Sequence, residues 1–166
     1  MSTDIYRPEG PSANWSDEKV FRHVLQHLAQ QGRQCRSRTG SGGTVCAYRF
    51  GKLRCAVGCL ISPDLLKRLN GQILYTPVVH LQPCSSSLEK ELSEDLGLQD
   101  EVRRLLLREL QHLHDGSPLV YGTAYSPSDW PDRARAIAQE FDLDETIVDE
   151  AFPADWKPKA FEGDAV

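Results

Sequence analysis

The sequence predicts a single α+β domain dominated by helices, and two observations support this prediction. The 166 residues amount to one ordinary domain, and 40% of them are apolar, so neither a metal nor a disulfide is required for folding. Apolar residues recur at helical spacing over most of the chain, whereas a small antiparallel β-hairpin or sheet is predicted near its middle. We expect the domain to occupy residues 17–152, between a flexible arm (1–16) and a polar tail (153–166).

The first helix is predicted from its caps and its apolar repeat. Ser16 is typical of an N-cap, two acidic residues follow it in the first turn, and Gly32 provides the stop. Apolar residues repeat between these limits every three or four positions. The next segment, 33–44, has the sequence RQCRSRTGSGGT, which lacks periodicity and predicts a loop.

A β-hairpin is predicted after this loop. Residues 45–50 and 53–56 are strand-like, and Gly51 followed by Lys52 suits a type II′ turn between them. Residues 55–61 are small and apolar, which fits either a buried strand or a short helix. The later elements are predicted as an edge strand over 73–81 and helices over 63–69, 87–96, 100–113, 129–141 (with Ser128 as its cap) and 144–152.

Charge is distributed unevenly along the chain. The net charge is −5, which argues against a general nucleic-acid binder. Residues 22–54 carry seven basic side chains and no acidic one, whereas residues 129–166 carry eleven acidic and four basic ones. The acidic residues also argue against DNA recognition by the last two helices, whose pattern mimics a helix-turn-helix. Such a charge dipole either binds an anion at its basic end or is neutralised within the fold.

The sequence shows no export or membrane signal. Its first ten residues, MSTDIYRPEG, lack the basic and apolar regions of a signal peptide, and its longest apolar run is far shorter than a membrane span. Five cysteines, at positions 35, 46, 55, 59 and 84, form an odd set in a domain that needs no disulfide. We therefore expect a cytoplasmic protein with reduced thiols.

The densest group of metal-binding residue types is the run CAYRFGKLRCAVGCLI, which begins at Cys46. Zinc is an alternative here, with Cys46, Cys55 and Cys59 as ligands, but only the last two have the spacing of a ligand pair. Buried reduced thiols are the more ordinary interpretation, so we expect no cofactor. His23 and His27 are four residues apart but lack the Glu of a metalloprotease motif, and we expect them to be solvated or boundary residues.

A cysteine-dependent hydrolase or transferase is a second alternative. Cys55 or Cys59 would be the nucleophile if a helix N-terminus lowered the pKa of its thiol. His114 would serve as the base and Asp115 would orient it, because the two are adjacent at the end of a predicted helix. Sequence spacing does not show whether the thiols and the imidazole meet.

Residues 33–54 form a basic segment that is the strongest candidate for anion binding. Its candidate binding residues are Arg36, Arg38, Gly40, Gly42, Gly43, Arg49 and Arg54. Glycines let backbone N–H groups converge on an oxyanion, and arginines provide bidentate donors. The segment lacks the G-K-[ST] signature of a phosphate-binding P-loop, so a solvated loop is the alternative.

Three motifs resemble those of a set of small uncharacterised bacterial and phage proteins. They are C-x-Y-R from Cys46, R-C-A-x-G-C-L-I from Arg54 and L-Q-x-x-H-D ending at Asp115, and the similarity covers residues 17–62 and 105–143. The resemblance implies no known activity or cofactor. The positions it highlights are Cys46, Arg49, Cys55, Gly58, Cys59, His114 and Asp115.

The sequence therefore predicts a small cytoplasmic binding protein of phage or mobile-element origin. We expect it to engage a protein partner or a phosphate-bearing ligand through the basic segment. No DNA or membrane partner is expected, and enzyme activity is the less favoured interpretation.

Overall fold

Helices make up most of the chain that the computed structural model describes, namely residues 11–38, 44–46, 48–69, 87–115 and 126–159. The prediction of a helix-dominated fold is confirmed. The helices are α1 (Asp17–Gln31), α2 (Pro63–Leu69), α3 (Ser87–Leu96), α4 (Glu101–Asp115), α5 (Trp130–Glu140) and α6 (Thr146–Ala151), and short 3-10 helices lie at Ser12–Asn14, Gly58–Leu60 and Pro127–Asp129. Among these described helices, none has both the length and the apolar character needed to cross a membrane.

The β structure of the described residues consists of two short antiparallel pairs, and neither joins a larger sheet. Strand β1 (Arg36–Arg38) pairs with β2 (Thr44–Cys46), and β3 (Arg49–Phe50) pairs with β4 (Leu53–Arg54). The segment that contains β1 was predicted to be a loop, and that prediction is wrong for residues 36–38. These residues form a strand because β2 supplies their hydrogen-bond partners, which local periodicity does not reveal. The run predicted as one strand over 45–50 is divided between the two pairs, and the predicted strand over 73–81 lies outside the described residues.

Helix α1 begins and ends at the predicted caps. The Ser16 hydroxyl oxygen accepts a hydrogen bond from the Lys19 N–H at 3.1 Å. Gly32 has φ +67°, a left-handed conformation that favours glycine, and its N–H donates to the Leu28 carbonyl at 2.8 Å. The apolar face of α1 is buried and packs against α4, α6 and the 3-10 helix Gly58–Leu60.

Helices α5 and α6 form a helical hairpin that serves packing. Asp142, in the turn between them, has φ +53°, and the hairpin buries apolar residues against α4 and α1. The start of this hairpin differs from the prediction, because Ser126 rather than Ser128 provides the capping hydroxyl and a 3-10 turn precedes α5. Arg22 on α1 forms an ion pair with Glu150 on α6, so part of the C-terminal acidic charge is neutralised within the fold.

Packed structure extends beyond the predicted domain limits at both ends. Before α1, the carbonyls of Ser12 and Trp15 accept hydrogen bonds from the buried guanidinium of Arg103, at 2.7 and 2.5 Å. After α6, the Trp156 indole N–H donates to a carbonyl of α1 at 3.0 Å, and the Lys159 N–H donates to the Gly32 carbonyl at 2.9 Å. The arm and the tail were predicted from their polar composition, and composition gives no information about these long-range backbone contacts.

Candidate functional site

The imidazole of His114 is the centre of the candidate site and is fully buried at the end of α4. Its Nε2 lies 2.8 Å from the backbone nitrogen of Cys35, and its Nδ1 lies 2.7 Å from Oδ1 of Asp115. Since a backbone N–H can only donate, Nε2 is the acceptor and carries no proton. The proton is therefore on Nδ1, which donates to Asp115, and both ring nitrogens are engaged.

Two glutamine side chains extend this network. The amide nitrogen of Gln111 donates to the same Asp115 oxygen at 2.7 Å, while its amide oxygen accepts from the Val57 N–H at 3.2 Å. The amide nitrogen of Gln34 donates to the His114 carbonyl at 2.6 Å. The end of α4 is thus joined to the segment before β1 and to the turn before the 3-10 helix, and these buried polar groups are satisfied.

The thiols of Cys55 and Cys59 are buried in the turn that follows β4. The Gly58 N–H donates to the sulfur of Cys55 at 3.2 Å, and the Cys59 thiol donates to the Ala56 carbonyl at 3.0 Å. Burial, and secondly the negative charge of Asp115, raise the pKa of the Cys55 thiol well above its ordinary value. A nucleophilic cysteine needs a lowered thiol pKa, so the environment of Cys55 favours the protonated, unreactive thiol.

Gly58 permits a close approach between two backbone segments. A Cβ atom at this position would lie 2.0 Å from the Tyr48 carbonyl oxygen, well inside contact distance. That carbonyl also accepts a hydrogen bond from the Cys55 N–H at 3.2 Å. Close packing therefore explains why a glycine occupies this position of the C-A-V-G-C run, independently of any chemistry at the two cysteines.

Side chains of α1 hold the backbone of β4 and of the turn after it. The Gln31 amide both donates to the Arg54 carbonyl and accepts from the Arg54 N–H, each at 2.9 Å. His27 Nε2 donates to the same carbonyl at 3.1 Å, and His23 Nε2 donates to the Cys59 carbonyl at 3.2 Å. Burial lowers the pKa of His27 to about 4. The two histidines were expected to be solvated or boundary residues, and they instead anchor backbone carbonyls.

The zinc alternative gains no support from the described residues. In residues 11–38, 44–46, 48–69, 87–115 and 126–159, no three cysteine, histidine, aspartate or glutamate side chains converge on a point where a metal ion could bind. Cys55 and Cys59 make the hydrogen bonds given above. The side chain of Cys46 lies outside the described atoms, and its backbone pairs with Arg36.

The basic segment contributes arginines to both strand pairs. Arg36 and Arg38 are two residues apart in β1, so their positions share one face of that pair. Arg49 lies directly opposite Arg54 in the β3–β4 pair, and Lys52 is exposed in the turn between them. The candidate loop glycines Gly40, Gly42 and Gly43 lie outside the described residues.

Several residues of the network were missed by sequence reasoning. Gln34 and the N–H of Cys35 meet His114 across about 80 positions of the chain, a separation with no local pattern. Gln111 does carry a weak signal, because it is, like the predicted His114, a polar residue on the buried face of an otherwise leucine-rich helix. Their burial is what makes them part of the network rather than an ordinary C-terminal turn.

Comparison of the chain with protein-family models, curated proteins and solved structures finds no match. The resemblance to small bacterial and phage proteins thus stays a prediction based on three motifs. The described contacts of its residues include backbone packing at Gly58 and hydrogen bonding at Cys55, Cys59, His114 and Asp115.

Proposed function

We propose that this protein binds an acidic protein partner through the basic segment, residues 33–54. The observation that carries the proposal is the register of β3 and β4, which sets Arg49 opposite Arg54. Like charges at opposite positions of an antiparallel pair repel one another. A carboxylate of a partner near these two positions would offset this repulsion.

The spacing of the arginines favours a protein partner over a single phosphate group. A strand rises about 3.3 Å per residue, so the Cα atoms of Arg36 and Arg38 are about 7 Å apart. Opposite residues such as Arg49 and Arg54 have Cα atoms about 5 Å apart. Charges distributed in this way along two strand pairs match carboxylates spread over a protein surface. A phosphate needs several donors that converge on one point.

The contacts of the buried cluster also weigh against the cysteine-dependent alternative. A general base needs a ring nitrogen that can take a proton from the nucleophile. Nε2 of His114 already accepts from the Cys35 N–H, and Nδ1 donates to Asp115. The raised pKa of Cys55 further reduces its thiolate fraction at neutral pH. The cluster is better explained as the support on which the basic segment rests.

The proposal is tested by charge reversal with a matched control. Arg36→Glu/Arg49→Glu, which reverses one arginine in each strand pair, and Lys67→Glu/Lys157→Glu change the net charge equally, and Lys67 and Lys157 are exposed residues outside the basic segment. Binding of a fluorescent twelve-residue poly-glutamate peptide is measured by anisotropy at 50 and 150 mM NaCl. We expect the first variant to bind about tenfold or more weakly, which corresponds to about 1.4 kcal/mol, and the control to change less than threefold.

Three outcomes would overturn the proposal. Equal weakening in both variants would mean that the peptide responds to net charge alone. No weakening in either variant would mean that the arginines of the two strand pairs do not contribute. Competition by pyrophosphate at far lower concentration than by the peptide would identify a phosphate-bearing ligand in place of an acidic protein.

A further inference from the structure

The strand pair β1–β2 has an edge at which a further strand can pair. Among the described residues, β1 pairs with β2 alone, through Arg36–Arg38 and Thr44–Cys46. In an antiparallel pair the backbone N–H and C=O groups of alternate residues face the partner strand, and those of the remaining residues point to the opposite side. β1 therefore presents backbone donors and acceptors on the side that faces away from β2, and such an edge can accept another strand.

The small size of the pair favours this addition. Three residues pair with three, and the described strands β1 and β2 do not join β3 and β4 in one sheet. Two-stranded pairs are marginally stable in water, whereas a third strand adds a second row of backbone hydrogen bonds. An added strand would therefore stabilise the pair to which it binds.

The start of β1 is held in place by the buried end of α4. The Cys35 N–H donates to Nε2 of His114 at 2.8 Å, and the Gln34 amide donates to the His114 carbonyl at 2.6 Å. These bonds fix the backbone directly before Arg36. A strand that pairs with β1 thus meets a segment whose position is already set at one end, which lowers the entropy cost of binding.

The register of the pair determines which residues of an added strand would lie next to the arginines. Arg36 and Arg38 are two residues apart, so both positions lie on one face of the pair, and Ser37 lies on the other. Facing residues of neighbouring strands have Cβ atoms about 5 Å apart, close enough for opposite charges to attract. Residues i and i+2 of an added strand would lie beside Arg36 and Arg38. Acidic residues at these alternate positions therefore match the two arginines one to one.

We infer that the acidic partner binds as an extended strand, with carboxylates at alternate positions, along the edge of β1 that faces away from β2. This inference rests on the proposed function and adds to it the conformation and the charge spacing of the partner. Backbone hydrogen bonds to β1 contribute affinity for an extended chain, and the arginines select one that carries alternate carboxylates.

Two peptides of equal composition, length and charge test the inference. In the peptide TETETET the glutamates alternate with threonines, whereas in TTEEETT they are contiguous. Binding of fluorescent derivatives to the full chain is measured by anisotropy at 50 mM NaCl. We expect the alternating peptide to bind about fivefold or more tightly than the contiguous one, because only the alternating peptide places every carboxylate on one face of a strand.

N-methylation tests the backbone hydrogen bonds separately from the charges. Methyl groups on the glutamate nitrogens block one edge of the extended alternating peptide, and methyl groups on the inner threonine nitrogens block the other edge. An added strand uses one edge, so we expect one methylated peptide to bind about tenfold more weakly and the other to change less than threefold.

Amide hydrogen exchange at Arg36–Arg38 provides a measurement on the protein itself. Saturation with the alternating peptide should slow the exchange of at least one of these amides about tenfold, because a backbone N–H that points away from β2 gains an acceptor. The Val57 amide, which donates to Gln111, serves as the reference and should change less than threefold.

Three results would contradict the inference. The first is equal affinity for the two peptides; if Arg36→Glu/Arg49→Glu then weakens both equally, the proposed function stands and only the strand arrangement fails. The second is equal weakening by the two kinds of N-methylation, or no weakening by either. The third is a set of β1 amides that exchange as slowly in the free protein as in the complex, since another segment of the chain would then occupy this edge. Binding of neither peptide would instead refute the proposed function and the inference together.

Discussion

Acidification should destabilise this protein through His27, and the structure gives the direction and size of the effect. The ring donates from Nε2 to the Arg54 carbonyl at 3.1 Å, and burial lowers its pKa from 6.5 to about 4. The nearby charges of His23, Arg54 and His114 lower it further. Above pH 6.5 the ring is neutral in both states, so folding is unaffected. Between pH 6.5 and 4 the unfolded chain binds a proton that the folded chain does not, so stability falls as the pH falls.

The size of this effect follows from the interval between the two pKa values. Each pH unit within the interval corresponds to about 1.4 kcal/mol of unfolding free energy. The full interval from 6.5 to about 4 would cost about 3 kcal/mol. Because the ring is only partly buried, we expect about 2 kcal/mol to be lost between pH 6.5 and 4.5.

The variant His27→Gln isolates this contribution, because its amide can donate to the Arg54 carbonyl but does not titrate. Urea unfolding followed by tryptophan fluorescence at pH 7.5, 6.5, 5.5 and 4.5 gives the free energy of unfolding of both proteins. We expect the wild-type protein to lose about 2 kcal/mol relative to the variant below pH 6.5. Parallel curves for wild type and His27→Gln would refute the reasoning.

Two further predictions concern stability. Gly58→Ala should lower the free energy of unfolding in urea by at least about 2 kcal/mol, because the new Cβ would collide with a backbone carbonyl. Gly51→Ala is the control: Gly51 has φ +59° and open space around it, so its loss should be about 1 kcal/mol. Equal losses in the two variants would contradict the packing argument. Arg103→Lys should lower the free energy of unfolding by about 3 kcal/mol and lower the melting temperature, because a lysine cannot keep the hydrogen bonds to Asp17 and to the backbone before α1. Arg104→Lys is the control. A loss in Arg103→Lys as small as that in the control would refute the role of Arg103.

The basic segment could be located from the sequence, because a run of charge of one sign is visible without any structure. Its strand β1 could not, since residues 36–38 become a strand through pairing with residues 44–46. Isolated strand propensity in RSR is low, and the pairing partner supplies the hydrogen bonds. Cross-strand register, including Arg49 opposite Arg54, is likewise a property of the pair.

The pairing of His114 with Asp115 could be suggested from sequence because the residues are adjacent. The role of the imidazole could not, because its acceptor nitrogen is occupied by a backbone N–H from Cys35, 79 positions away. The same holds for Gln31 and His27, whose function as backbone anchors depends on where β4 passes. A polar side chain on an apolar helix face indicates that it has a buried hydrogen-bond partner, but it does not show which group that partner is.

By itself the sequence determined the helices, the two caps of α1 and the location of the basic segment, because helical periodicity and capping depend on residues within one or two turns. Tertiary structure alone decided that Ser12 and Trp156 belong to the packed domain and that Gly58 lies against a backbone carbonyl. It also decided that both ring nitrogens of His114 have hydrogen-bond partners. These features depend on groups that the chain brings together from distant positions. Burial then changes their chemistry, by removing water from the thiols and imidazoles and giving each a fixed partner.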